Sequence, residues 1–185
     1  GFHGRTYAAA AAGGMPGPKK GYGPTLPGAI RAPYPYCYRC PFKAKPETCG
    51  MLCLEFLDDC VRANSTGSLA GLIVEPYQGA SGFIFPPEGW LSRLEQWVRS
   101  KGLVFTVDEV QASYGRTGKF WAVEWEGVQP DLLCIGKGIG SGLPVSAIAA
   151  RSEVIGVLGP GEMSSTMGGN PVASACVTAV IDIML

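Results

Sequence analysis

Two short apolar runs, Val104 to Val107 and Leu132 to Ile135, constrain the fold of this chain more than any other feature. Both have strand length and strand-type residues, and both end in charge or glycine rather than in more core. Asp108 follows the first, and Gly136 and Lys137 follow the second. A third run, Gly71 to Val74, ends at Glu75. Between these runs the apolar residues fall at helical spacing. From Gly50 to about Ala63, Leu54, Leu57 and Val61 recur with Cys53 and Cys60 beside them, the pattern of an amphipathic helix laid on a sheet. From about Pro87 to Ser100, Trp90, Leu94, Trp97 and Val98 share one face, with Pro87 suited to the first turn. These Trp residues read as core rather than ligand contacts. The order strand, helix, strand, connection, strand predicts an α/β fold with parallel neighbours.

In an open α/β sheet, ligands bind beyond the carboxyl ends of the strands. Asp108 and Lys137 are therefore placed to face one small molecule. An acidic group that keeps a pyridine nitrogen protonated, paired with a lysine in Schiff-base linkage, is the pattern that pyridoxal phosphate uses. Burial would make such a lysine easier to deprotonate and hence nucleophilic. The spacing by itself better fits an Asp and a Lys that only cap or solvate strand ends. The glycines at 136, 138, 140 and 142 do not make a nucleotide loop, because neither GxxxxGK[ST] nor GxGxxG fits around Lys137.

Elsewhere the sequence is punctuated. The Gly- and Pro-rich segment from Gly13 to Pro35 has no helical or alternating period and predicts a long ordered loop. Cys37, Cys40, Cys49 and Cys53, spaced by two, eight and three residues, loosely match a zinc knot. The plainer reading is a reduced, half-buried loop running into a helix. Near the end, SSTMGGNP precedes a helix starting at about Pro171, with Asn170 as its N-cap. Amides and dipole at such a helix start favour an anion, which makes this a phosphate contact on physical grounds.

At 185 residues, 46% hydrophobic and 16% charged, the chain is long enough for one domain with a real core. Fifteen basic and fifteen acidic residues leave no net charge, so nothing points to nucleic acid or an anionic membrane as partner. No apolar run reaches the roughly 20 residues of a membrane span: the Ala8 to Ala12 tract is short, and Asp182 interrupts the last apolar stretch. No basic-then-apolar leader is visible, and a cytoplasmic location is expected. The chain opens at Gly1 without a methionine and stops at Leu185 inside an apparent helix, so the expectation is an internal piece of a longer protein.

FTVDEVQASYGRTG from Phe105 and PDLLCIGKGIGSGLP from Pro130 together resemble the class III pyridoxal-phosphate aminotransferases, the group that includes 4-aminobutyrate and ornithine aminotransferases. GFHGRTYAA at Gly1, VEPYQGASG at Val74 and SSTMGGNPVASA at Ser164 agree, in family order and across nearly the whole chain. The resemblance implies the fold-type I large domain, a mainly parallel sheet flanked by helices. It is incomplete, lacking the upstream phosphate loop and the C-terminal small domain, and residues 1–185 would be one cofactor-binding unit.

The same resemblance assigns residues. Lys137 matches the lysine that forms the Schiff base and then carries a proton to and from the substrate Cα. Asp108 matches the aspartate at the pyridinium nitrogen. Phe2 and Val110 would cover opposite faces of the ring, Gln111 would bond the ring hydroxyl, and His3 and Glu75 would be secondary contacts. Thr166 would reach the cofactor phosphate in a partner subunit, which implies a homodimer with shared sites. Glu109 lies in the motif without a chemical role and is read as structural.

The implied activity moves an amino group between an amine or amino acid and a 2-oxo acid. Ala80 stands where relatives that handle both an ω-amine and glutamate usually carry a glutamate. That departure favours a monofunctional aminotransferase, or a racemase or epimerase of the same family. A non-catalytic cofactor-binding or dimerisation piece is the remaining reading.

Overall fold

The computed structural model describes all 185 residues. Its centre is a four-stranded sheet of β1 (Gly71–Val74), β2 (Val104–Asp108), β3 (Leu132–Ile135) and β4 (Ala147–Ala150), adjacent in that order. β1, β2 and β3 are parallel, and β4 returns antiparallel against β3. The expected α/β architecture is present. The strand β4 is an addition, because the small residues of AIAA carry no alternating pattern that marks a strand.

The helices are α1 (Tyr7–Ala12), α2 (Leu52–Asn64), α3 (Trp90–Ser100), α4 (Ser152–Ile155) and α5 (Pro171–Met184). α2 starts two residues later than its apolar spacing suggests, since Gly50 and Met51 both hold left-handed backbone that cannot belong to a helix. α3 also starts late. Pro87 is not in its first turn but three residues before Trp90, and Gly89 in the left-handed region makes the corner. The orphan amides there are met from far along the chain: Gly89 N–H and Ser92 N–H donate to the Glu126 carboxylate at 3.1 and 2.9 Å. A cap supplied from 34 residues away leaves no trace in the local sequence.

β2 is the central strand, and Phe105 and Val107 on it are wholly buried. They meet the face of α3 formed by Trp90, Leu91, Leu94 and Val98. Full burial of such side chains stabilises by roughly 1.5–3 kcal/mol each. Cys53, Leu54 and Leu57 of α2 lie against the margin of this core, half-buried. α2 is fastened to α3 by polar contacts, with the Trp97 indole N–H donating to Asp58 at 3.1 Å and Lys101 pairing with Asp58 at 2.7 Å. Trp90 is core as expected, whereas Trp97 is only partly buried.

Asp131, just ahead of β3, ties three elements together. Its carboxylate accepts from the Phe105 amide of β2 at 2.8 Å and from Arg99 of α3 at 2.5 Å, and Arg151 after β4 lies at 3.4 Å. Burial opposes its ionisation, but the Phe105 amide and Arg99 outweigh that and hold the carboxyl below its ordinary value. The result is a fixed register at the amino end of β3. That register sets where Gly136 and Lys137 emerge at the other end.

Candidate cofactor site

Asp108 closes β2, sits opposite Cys134 of β3, and is buried. One carboxylate oxygen accepts from the Val110 amide at 3.1 Å, and the other is 2.8 Å from His3 Nδ1. The His3 ring nitrogen and the Asp108 carboxyl group thus share one hydrogen bond. The contact joins residues 105 positions apart.

Glu75 explains how His3 gets there. Standing at the end of β1 and buried, it accepts from the Phe2 amide at 2.8 Å and from the Gly79 amide at 3.2 Å. The side chain expected to touch a cofactor thus uses both oxygens on the backbone, pinning the amino-terminal segment beside the strand end. Tyr34 adds a hydroxyl to the carbonyls of Glu75 and Pro76, at 3.3 and 3.0 Å.

The chain turns sharply after Asp108. Ala112 N–H, Ser113 N–H and the Ser113 hydroxyl all donate to the Glu109 carbonyl. The turn presents Val110 and Gln111 at the strand end. Gln111 folds over Gly79, where a Cβ would lie 1.2 Å from its Oε1, so only glycine admits it. That buried Oε1 has no partner of its own, and a buried acceptor without a donor is costly. An acceptor of this kind beside Asp108 fits a ligand that brings a hydroxyl.

Lys137 opens a short 3-10 turn, Lys137–Gly140, immediately beyond β3. Its φ of 46° is left-handed, which a non-glycine residue adopts only when the surroundings impose it. The surroundings are visible. A Cβ on Gly136 would come within 3.2 Å of Val110, and one on Gly138 within 3.1 Å of Tyr114. These two glycines let the β2 and β3 loops close on each other, with Lys137 between them. α5 holds the far side, its Cys176 thiol donating to the Gly140 carbonyl at 3.0 Å. Lys137 is exposed, contrary to the expectation that burial favours its deprotonation, because nothing within the chain covers this face of the turn.

The remaining expected residues are less converged. Phe2 and Val110 are half-buried on the two segments that meet at Asp108. Thr166 lies exposed in the loop before α5 and bonds none of the residues above. The cap itself is as expected, with the Ala173 amide donating to Asn170 Oδ1 at 2.9 Å and Pro171 in the first turn. Cys37, Cys40, Cys49 and Cys53 line one hollow of about 190 Å³, and no three metal-ligating side chains come together there. Phe42, Pro41 and Met51 share that hollow, and all seven cysteines of the chain are unpaired.

A larger cavity, about 320 Å³, borrows His3 and Glu75 at one end and is otherwise walled by α2, α3, β1 and the long loop. Neither Asp108 nor Lys137 lines it. No helix is long and apolar enough to cross a membrane.

Comparison with known proteins agrees with this geometry. A family model described as aminotransferase class-III matches residues 1–185. A leucine/methionine racemase of Thermococcus litoralis is 38% identical over 98% of this chain and 41% of its own length. A 4-aminobutyrate aminotransferase of Mycobacterium bovis is 42% identical over 97% of this chain and 41% of its own length. Among solved structures, an amine transaminase from an uncultivated Pseudomonas species, in its PLP-bound form, superposes with a TM-score of 0.92 at 30% identity, covering 100% of this chain and 44% of that one. The chain therefore spans about two fifths of the length of the curated relatives it matches. With the match running from Gly1 to Leu185 and the strand-end aspartate and lysine where the fold converges, this chain belongs to the class III aminotransferase family.

Proposed function

We propose that residues 1–185 form the cofactor-binding part of a longer pyridoxal-phosphate-dependent aminotransferase, which moves an amino group between an amine or amino acid and a 2-oxo acid. The observation that carries the reading is the closure of the β2 and β3 loops around Lys137, beside an Asp108 that His3 already holds. When bound, pyridoxal phosphate supplies a ring that draws electrons from the substrate Cα. Asp108 would hold a proton on the ring nitrogen, and the His3 hydrogen bond would orient its carboxyl group for that role. Gln111 takes the ring hydroxyl at its unpartnered Oε1. Val110 and Phe2 pack on the ring faces, and Glu75 fixes Phe2 by its amide. Lys137 would hold the cofactor through its Nζ, and the same amine would serve as base and acid at the substrate Cα.

Covering of Lys137 falls to a second copy, in a homodimer where Thr166 of one subunit serves the phosphate site of the other. The exposed Met163, Met167 and Val172 around Thr166 support a protein contact there. Unpaired cysteines throughout support a cytoplasmic location.

One relative is a racemase, and Ala80 lacks the carboxylate on which dual-substrate relatives rely, so racemisation is the second reading. In that case the proton returns to the opposite face of Cα and no amino group leaves. The test is a single turnover of the full-length, cofactor-loaded enzyme with L-amino acids and ω-amines. Stoichiometric oxo product is the expected result. Loss of optical rotation without oxo product would replace transamination by racemisation.

A further inference from the structure

Five side chains are the most completely buried in the protein, and four of them, Phe105, Leu94, Val98 and Val107, are apolar. The fifth is Glu109. A carboxyl in that company is unusual, because a buried charge needs a cation or several donors to hold it. Glu109 has one short contact, the Val123 amide donating to Oε1 at 2.9 Å, and its Oε2 has no partner. No cation forms an ion pair with it. The charged neighbours around it are acids: Asp108 at the end of β2 just before it and Glu124 from the 3-10 turn Ala122–Trp125, while Tyr77 approaches from the segment after β1. Burial pushes the carboxyl up to about 7, against the Val123 and Ala122 amides, which pull it down.

The same residue is the anchor of the site. Its amide donates to the Cys134 carbonyl of β3 at 3.0 Å, and its carbonyl takes both amides and the hydroxyl that shape the Val110–Gln111 turn. Its side chain reaches the Ala122–Trp125 turn, which closes the excursion from Tyr114 to Phe120. Asp108, Val110 and Gln111 are therefore hung from one residue, whose side chain is held from within the core.

We propose that Glu109 is a positioning residue that works as an uncharged acid: protonated, it locks the Asp108–Gln111 turn for the cofactor, and its ionisation loosens that turn. This rests on the cofactor-site reading above. The sign follows from the raised value. The folded protein keeps the proton that the unfolded chain gives up near 4.5, so the stabilisation is full at acid pH, fades as pH rises from there, and is gone above about 7.

The test uses the full-length protein and its Glu109→Gln variant, which keeps an acceptor for the Val123 amide but cannot ionise. The dissociation constant for pyridoxal phosphate is measured by absorbance from pH 6 to 8.5, with the thermal midpoint of the cofactor-free protein at the same pH values. The expected result is an affinity ratio that moves about tenfold in favour of the variant across that range, ~1.4 kcal/mol, with a midpoint gap that widens in parallel. A ratio and gap independent of pH, with wild type binding normally, would overturn the role of Glu109 alone. Wild type that binds no cofactor at any pH would overturn the site reading and this proposal together. If the variant does not fold, hydrogen exchange in wild type decides: as pH rises from about 5 to about 7, Val123 should lose protection faster than Phe105, and equal loss would refute the proposal.

Discussion

Gly79 and Gln111 form the tightest steric bargain in the site, since a single methyl on Gly79 would occupy the place of the Gln111 carboxamide oxygen. Gly79→Ala must therefore expel Gln111 from the strand end. The expected outcome is a roughly tenfold weaker affinity for pyridoxal phosphate in titration, with global stability lowered by about 1–3 kcal/mol for the overpacking; unchanged affinity would show that Gln111 makes no contact with the ring. The motif residues Asp108, Gln111 and Lys137 were legible in the sequence through the family motifs that carry them, not through strand-end spacing, which fits capping residues better. The partners that orient them were not. Nothing in GFHGRT says that its histidine bonds an aspartate 105 residues on, and nothing in the adjacent acids of DEVQ says which one has partners. Asp108 finds a ring nitrogen and an amide, whereas Glu109 finds one amide and a core. For the same physical reason the exposure of Lys137 is not legible locally, since what would cover it is not near it in sequence.

The order of the elements was readable because apolar runs and spacing mark each of them, and in α3 and β2 they also report a clear buried face. Their starts were not, because they are set by left-handed residues at Met51 and Gly89 and by the remote cap from Glu126. β4 escaped notice since AIAA is mostly exposed and gains its strand geometry from pairing with β3. The join between these elements is Asp131, and its removal tests whether register is set there. Asp131→Ala leaves the Phe105 amide without an acceptor and Arg99 without its main partner, and should lower stability by about 2–4 kcal/mol in chemical denaturation at pH 7. Because the Asp131 carboxyl titrates below its ordinary value of 3.8 in the fold, its contribution is complete above that pH and is lost as pH falls through the folded value. Asp131→Asn should accordingly approach wild type in strongly acid solution. A gap that persisted undiminished at pH 2 would mean that the carboxylate charge plays no part.

As a molecule, the chain is a core of one central strand, one well-buried helix and a set of loops that converge at one end of the sheet. Its amino-terminal two thirds carries that core, while the segment from Ile155 to Leu185 leaves Val157, Met163, Met167, Val172 and Ile183 exposed. Apolar surface of that extent belongs against other protein, in keeping with relatives more than twice as long and with a site whose lysine is still uncovered. The central claim is that Lys137, held in a left-handed turn between the two loops, is the residue that joins the cofactor. Borohydride reduction of the full-length protein mixed with pyridoxal phosphate, followed by peptide mass mapping, tests it most directly. One pyridoxyl group on Lys137, absent in Lys137→Ala, is the predicted result. Label scattered over surface lysines such as Lys43 and Lys119, or no label at all, would contradict the account.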